Sequence, residues 1–160
     1  MALPAVGLGS PYEGLGLLDC GATESLGGWP AADAVKLRSM ALYGRDAVCV
    51  DTDQHKVFQF GDGNSEPCLS AMRATVCPLG VKSDFSLHMA NNEATPVLIS
   101  NDSLKNMKAI VNFGAGTAIF GALDPNKCVA LYQGDEAKRY WIDLFGDHPV
   151  VGGAEEILRM

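Results

Sequence analysis

The chain has 160 residues, a net charge of -7 and a hydrophobic fraction of 48%, which predict one globular domain and exclude an intrinsically disordered chain. The 18 Gly and 8 Pro exclude a coiled coil and favour strands joined by turns. Because the chain is acidic and has no Lys/Arg cluster, we expect no direct nucleic acid partner.

The N-terminus and the cysteines bear on location. Residues 1–18 are apolar and Gly-rich but carry no basic segment, so we expect neither a signal peptide nor a transit peptide. No run of about 18 apolar residues is present, so no membrane partner is expected. The five cysteines are odd in number and include no Cys-x-x-Cys pair, which favours reduced thiols. We therefore expect a cytoplasmic or nuclear protein without metal or other cofactors, in which every cysteine except Cys20 is a small buried hydrophobic residue.

The first predicted elements are a strand and a helix. The apolar run Leu15–Leu18 predicts a short strand that ends at Asp19 and a glycine-containing loop. Pro30 suits the first turn of a helix over residues 31–42. The apolar face of that helix is predicted to comprise Ala34, Val35, Met40 and Leu42.

The middle of the chain predicts paired strands. Apolar runs at residues 47–50 and 56–60 flank a polar turn and predict a hairpin. Residues 61–67 (Gly-Asp-Gly-Asn-Ser-Glu-Pro) are the strongest turn signal in the chain. After that turn, residues 69–76 and 82–89 are predicted to form two strands around a Pro-Leu-Gly turn.

The remaining segments predict one further short helix and more strands. The apolar run 96–100 is typical of a buried strand, and Ser100 or Asn101 is suited to cap a helix that continues to Lys108. Strand predictions follow at residues 109–113, 117–120, 129–132 and 140–145, the first two forming a hairpin. The chain is therefore predicted to be a mostly-β domain with one or two short helices.

Four segments share their order and spacing with one known family. They are residues 17–23 (Leu-Leu-Asp-Cys-Gly-Ala-Thr), 58–63 (Phe-Gln-Phe-Gly-Asp-Gly), 97–104 (Val-Leu-Ile-Ser-Asn-Asp-Ser-Leu) and 109–113 (Ala-Ile-Val-Asn-Phe). Together they resemble the retropepsin-like aspartic proteases of retroviruses and retrotransposons, in which the corresponding first and third motifs are usually Asp-Ser/Thr-Gly-Ala-Ser/Thr and often Leu-Leu-Gly-x-Asp-x-Leu. The resemblance extends over residues 15–120.

The resemblance implies a fold and a domain organisation. The expected fold is a closed orthogonal β-barrel of the acid-protease (retropepsin) type with one or two short helices. Residues 1–14 would be an N-terminal extension, residues 15–120 the retropepsin-like domain, and residues 121–160 a C-terminal extension that could pack on the barrel. Such a domain would be encoded by a retroelement or by a domesticated descendant of one.

The resemblance also implies an activity and a site. Enzymes of this family hydrolyse peptide bonds with a water molecule activated between two carboxylates that share one proton. Since the chain contains a single Asp-x-Gly-Ala motif, the second carboxylate must come from a second copy, and the partners are a homodimer and a peptide or polyprotein substrate. The implied site residues are Asp19 as the catalytic group; Cys20, Gly21, Ala22 and Thr23 in the active-site loop; Phe60, Gly61, Asp62 and Gly63 in the flap; and Ile99, Ser100, Asn101 and Asp102 in a second loop.

Two departures from the family pattern keep other hypotheses open. Cys20 replaces the usual Ser or Thr with a weaker hydrogen-bond donor, and Ser100 stands where the family often has Gly. Both favour an alternative, a catalytically inactive retropepsin-like domain used for dimerisation or peptide binding. A third hypothesis is a β-barrel binding module unrelated to proteases. The dispersed histidines and the lack of a Gly-x-Ser-x-Gly motif around Ser25 favour no catalytic triad.

Overall fold

The computed structural model of the chain describes residues 14–54, 56–59, 65–134 and 139–158. In this part of the chain the fold is mostly β, as predicted. The strands are β1 (Leu15–Leu18), β2 (Leu26–Gly28), β3 (Val48–Asp51), β4 (Val57–Gln59), β5 (Ser65–Val76), β6 (Ser83–Ala90), β7 (Val97–Ile99), β8 (Ala109–Asn112), β9 (Thr117–Phe120), β10 (Cys128–Ala130), β11 (Tyr132–Gln133), β12 (Tyr140–Asp143) and β13 (Val150–Gly152). The helices are α1 (Trp29–Tyr43) and α2 (Asn101–Asn106), with short 3-10 helices at Arg45–Ala47, Pro78–Gly80 and Ala154–Leu158. None of the helices in the described ranges is both long and apolar enough to cross a membrane.

The strands form two sheets. Among the described residues, the larger sheet has the order β11-β12-β1-β7-β2-β6-β5-β3, with β4 also paired to β5, and the smaller has the order β13-β10-β9-β8. Strand β1 lies inside the larger sheet, parallel to β7 and antiparallel to β12. The end of β1, where Asp19 begins the loop, is therefore held from both sides.

A glycine allows the close approach of β1 and β7. A Cβ atom at Gly16 would lie 2.5 Å from Cδ1 and 2.7 Å from Cγ1 of Ile99, closer than real atoms pack. The side chain of Ile99 is fully buried in the main hydrophobic core, so it has little room to move away. The residue at position 16 must therefore be small for Ile99 to take its place beneath the loop.

The predicted helix over residues 31–42 is confirmed, although α1 begins and ends slightly beyond those bounds. Pro30 occupies its first turn, as expected. The predicted apolar face is wrong in part: Val35 is buried, but Leu42 is 52% exposed and the other buried helical residues are Pro30, Ala32 and Ser39. The reason is that apolar residues lie all round this helix, so periodicity alone does not select the face that packs on the sheet.

The predicted hairpin between residues 47–50 and 56–60 is wrong. Strands β3 and β4 each pair with β5 and not with each other. Strand β5 has 12 residues, so β4 pairs with its beginning and β3 with its middle. The predicted turn at residues 61–67 is also too long, because Ser65, Glu66 and Pro67 already belong to β5; residues 61–64 lie outside the described part of the chain.

Most of the later predictions agree with the structure. Two differ: α2 ends at Asn106 and not at Lys108, whose φ of 52° does not continue a helix, and the strand predicted at residues 129–132 is divided between β10 and β11, which belong to different sheets. Strands β5 and β6 pair antiparallel around the turn at Pro78–Gly80, and β8 and β9 form the expected hairpin. Helix α2 begins after Ser100, whose hydroxyl accepts a hydrogen bond from the backbone N–H of Ser103 at 3.1 Å. Ser100 is therefore the cap of α2, one of the two alternatives that the sequence left open.

Residues 121–160, predicted as a C-terminal extension, contribute strands to both sheets. Strand β12 pairs with β1, and β10 joins β9 to β13. Ile142 and Leu144 are buried in the same core as Ile99. The segment thus packs directly against the strand that leads to Asp19.

All five cysteines are free thiols, but their burial differs from the prediction. Cys68 and Cys128 are buried and Cys77 is half-buried, whereas Cys49 is exposed together with Cys20. Cys49 is exposed because β3 lies at the edge of the larger sheet, where only part of each strand is covered.

Candidate active site

The loop that starts at Asp19 is joined to the end of β7 by two backbone hydrogen bonds. The N–H of Asp19 donates to the carbonyl oxygen of Ile99 at 3.0 Å, and the N–H of Asn101 donates to the carbonyl oxygen of Ala22 at 3.1 Å. The parallel register of β1 and β7 places Leu18 opposite Ile99, so both strands end at the same level. Asp19 therefore lies next to the turn formed by Ile99, Ser100 and Asn101.

The loop itself folds back on the Asp19 side chain. The N–H of Gly21 donates to Oδ1 of Asp19 at 3.1 Å, and the N–H of Ala22 donates to the carbonyl oxygen of Asp19, also at 3.1 Å. The Asp-x-Gly pattern favours the first of these bonds, since a residue without a side chain lets the backbone approach the carboxylate. Asp19 is half-buried, while Cys20 and Gly21 are exposed. The loop therefore holds a carboxylate in a defined orientation and remains open on one side.

Three serine side chains connect this loop to α2. The hydroxyl groups of Ser25, Ser100 and Ser103 are mutually hydrogen-bonded, with Oγ–Oγ distances of 3.3 Å between Ser25 and Ser100, 3.0 Å between Ser25 and Ser103, and 3.2 Å between Ser100 and Ser103. The N–H of Ser100 also donates to Oγ of Ser25 at 3.0 Å. The serine that departs from the family pattern at position 100 is thus paired within the fold, and the two backbone bonds between the loops form beside it.

An open cavity of about 490 Å³ begins where the active-site loop ends. One wall comes from the loop and α2, with Thr23, Ser25 and Asp102, and the other from β3, β5 and β6, with Asp51, Arg73 and His88. Polar and charged residues thus line much of this cavity, whose volume lies in the range of ligand-binding clefts.

Glu24 connects the active-site loop to the segment that precedes β4. Its carboxylate forms an ion pair with the Lys56 ammonium and lies 3.6 Å from Nε2 of His88. Burial lowers the pKa of His88 below its ordinary value of 6.5; the Glu24 carboxylate opposes this effect and the Lys56 cation adds to it. His88 is therefore predominantly neutral at pH 7.

The other predicted site residues are placed as follows. Asp102 is exposed on α2 and its side chain lines the cavity. The flap residues Phe60, Gly61, Asp62 and Gly63 lie outside the described residues, as does His55. Strands β4 and β5, which precede and follow the residues predicted for the flap, pair antiparallel with Gln59 opposite Ser65.

His148 is a satisfied core residue, as expected for a histidine far from the others in sequence. Its Nε2 accepts the N–H of Asp143 at 2.9 Å, and its Nδ1 lies 2.8 Å from the carbonyl oxygen of Ala130. These contacts join β10 to β12, the strand next to β1. Burial lowers the pKa of His148 below 6.5, which favours the neutral ring with its proton on Nδ1.

Sequence reasoning missed the contributions of Ser25, Glu24 and His88. The Ser-x-x-Ser spacing at Ser100 and Ser103 is a capping signal, but nothing local indicates that Ser25 completes the cluster from 75 residues away. Likewise, the pairing of β2 with β6, which brings Glu24 near His88, is visible only in the folded sheet.

No family model matches this chain, and comparison with curated proteins finds no match.

Proposed function

We propose that this chain is a retropepsin-like aspartic endopeptidase that hydrolyses peptide bonds as a homodimer. The observation that carries the proposal is the pair of hydrogen bonds joining the Asp19 loop to the Ile99–Asn101 turn, from Asp19 to Ile99 and from Asn101 to Ala22. They bring together two of the four sequence motifs on which the family resemblance depends, residues 17–23 and 97–104, although these are about 80 residues apart in the chain. On this proposal the two sheets belong to a closed barrel of the acid-protease type.

The proposed reaction uses the carboxylates of two Asp19 residues, one from each copy. At a separation of about 3 Å two carboxylates cannot both ionise, so the pair holds one proton. The ionised member removes a proton from the attacking water, and the protonated member donates its proton to the substrate. The Gly21 N–H, which contacts Oδ1 of Asp19, would orient the carboxylate for this exchange.

The exposure of the loop supports the dimer. Cys20 and Gly21 are exposed and Asp19 is half-buried, so a second copy can approach the carboxylate from the open side. The substrate would be a peptide or polyprotein segment in the cavity that begins at Thr23, and the paired strands β4 and β5 would be the two strands of the flap. We propose that the enzyme acts in the cytoplasm or nucleus.

The second candidate function is peptide binding or dimerisation without catalysis. The exposed thiol of Cys20 favours it, because a thiol is a weaker donor than the hydroxyl that the family usually has at this position. Ser100, the other departure, favours it less, since the cluster with Ser25 and Ser103 accommodates it.

The test is hydrolysis of a peptide library by the wild type and Asp19→Asn at micromolar protein concentration, between about pH 3.5 and 7. The asparagine retains an Oδ1 atom that can accept the Gly21 N–H, so the fold should survive while hydrolysis is lost. Asp46→Asn, the same change at an exposed aspartate in the first turn of a 3-10 helix, should retain wild-type activity.

One outcome would refute the aspartic mechanism, and another would show that the natural chain is not an active protease. Hydrolysis by Asp19→Asn at the wild-type rate would refute the mechanism. An inert wild type that becomes active as Cys20→Thr would favour the non-catalytic candidate for the natural chain.

A further inference from the structure

The serine cluster formed by Ser25, Ser100 and Ser103 lies between the two backbone contacts that hold the Asp19 loop. The residue before Ser100, Ile99, accepts the N–H of Asp19, and the residue after it, Asn101, donates to Ala22. Any movement of Ser100 relative to the loop therefore changes both contacts at once.

The three serines line the open cavity, but two of them are almost fully buried. Ser100 is 1% exposed and Ser25 is 4% exposed. Replacement of one serine by alanine removes two of the three contacts between the hydroxyl groups, and the remaining pair holds the two segments less firmly. The cluster is thus a rigid connection between the start of β2 and the start of α2.

The cluster is also anchored on the opposite side. The carbonyl oxygen of Ser25 accepts the N–H of His88 at 3.0 Å, which ties the start of β2 to β6. The Ser100 hydroxyl accepts the N–H of Ser103, which ties the cluster to the first turn of α2. The end of the active-site loop is therefore held against β6 and α2, neither of which contains Asp19.

We propose that Ser25 and Ser100 are positioning residues for Asp19. This inference rests on the proposed function, since it concerns the same carboxylate. Neither hydroxyl contacts Asp19; the two act through Ile99 and Asn101, whose backbone groups hold the loop. On this proposal Ser100 holds the loop at the position where the family often has Gly. Its hydroxyl and backbone N–H are both hydrogen-bonded to Ser25, so the side chain is accommodated within the fold.

The proposal predicts a specific change in the pH profile. A looser loop increases the separation of the two carboxylates in the dimer and weakens their repulsion. Ionisation of the second carboxylate is then opposed less strongly, because the negative charge of the first lies farther away. The alkaline limb of the activity profile should accordingly shift to lower pH, which a mere loss of stability would not cause.

The experiment compares Ser25→Ala and Ser100→Ala with Ser39→Ala. Ser39 is a matched control, because it is fully buried in α1 and its hydroxyl donates a hydrogen bond to the Thr75 carbonyl at 2.7 Å, away from the loop. We expect kcat to fall roughly 10- to 100-fold in the first two variants, since a small misplacement of a reacting group has effects of this order. Because both serines line the proposed substrate cavity, the pH profile of kcat, and not KM, is the readout for positioning. Ser39→Ala should reduce stability but leave kcat and the pH profile unchanged.

A milder variant and a second measurement keep the test informative if Ser25→Ala fails to fold. Ser103→Ala leaves the contact between Ser25 and Ser100 intact, so its effect on kcat should be smaller but of the same kind. Amide hydrogen exchange at Asp19 and Asn101, measured by NMR, should be faster in the Ser25, Ser100 and Ser103 variants than in the wild type and unchanged in Ser39→Ala.

The outcomes separate the two proposals. If Asp19→Asn is as active as the wild type, the protease proposal fails, while the exchange rates still report whether the serine cluster holds the loop. If Asp19→Asn is inactive but the serine variants retain the wild-type kcat, alkaline limb and exchange rates at Asp19 and Asn101, the positioning role is refuted.

Discussion

Gly16 and Ile99 should be energetically coupled, because Ile99 occupies the space that a side chain at position 16 would need. In Gly16→Ala the new Cβ would lie 2.5 Å from Cδ1 of Ile99, and the fully buried isoleucine can move only by displacing its neighbours. Overpacking of this kind costs about 1–3 kcal/mol in the free energy of unfolding. Ile99→Ala removes a fully buried side chain and should cost about 2–5 kcal/mol.

The double variant should be less destabilised than the sum of the two single variants. In Ile99→Ala the Cγ1 and Cδ1 atoms are absent, so the methyl group at position 16 no longer overlaps with them and fills part of the cavity. We expect a favourable coupling energy of about 1–2 kcal/mol, within the range found for residues in direct contact. The backbone carbonyl that accepts the N–H of Asp19 is retained in Ile99→Ala, but the lost packing loosens the end of β7, so amide exchange at Asp19 should also become faster.

The assay is urea unfolding of the four proteins of the cycle, followed by circular dichroism and by the fluorescence of the buried Trp141. Gly114→Ala is the control for replacement of a glycine, since its Cβ would make an ordinary contact at 3.4 Å with Asn112 Oδ1. It should change stability by less than about 0.5 kcal/mol. Additive costs in the cycle, within about 0.5 kcal/mol, would refute the packing of Ile99 against Gly16.

Three further predictions concern ionisation and assembly. The free energy of unfolding should decrease as the pH falls below about 6.5, because the folded-state pKa values of His148 and His88 lie below their unfolded values. The decrease should reach at most about 1.4 kcal/mol per pH unit for each histidine. His148→Asn should weaken this acid dependence in urea titrations, and an unchanged slope would count against a neutral His148. Lys56→Met should raise the pKa of His88, because it removes a nearby cation, and Glu24→Gln should lower it, because it removes a nearby anion. NMR titration of His88 measures both shifts, and shifts of the same sign would contradict the arrangement of the three side chains. Peptidase activity should fall faster than linearly on dilution, as dimers dissociate, and a strictly linear dependence down to nanomolar concentration would contradict a site shared between weakly associated copies.

Features that depend on neighbouring residues were predictable from the sequence. The capping of α2 by Ser100, the hairpin of β8 and β9, and the contact of the Gly21 N–H with Asp19 all follow from the chemistry of a few consecutive residues. The same is true of the strand that ends at Asp19. In each case the preference of a short segment for a turn, a helix cap or a strand decides its conformation, and that preference depends on only a few consecutive residues.

The pairing of distant segments was decided by the tertiary structure. Residues 47–50 and 56–60 have the local pattern of a hairpin, yet β3 and β4 both pair with β5, because that long strand provides backbone partners along its whole length. The contact of Ser25 with Ser100, the burial of His148 and the exposure of Cys49 depend likewise on which strands become neighbours or edges. The sequence alone thus determined the Asp19 carboxylate and the local conformation of its loop, whereas strand order decided which residues surround that loop. The reason is that backbone hydrogen bonds between strands are the same for every residue type, so a strand's own sequence does not indicate which strand it pairs with.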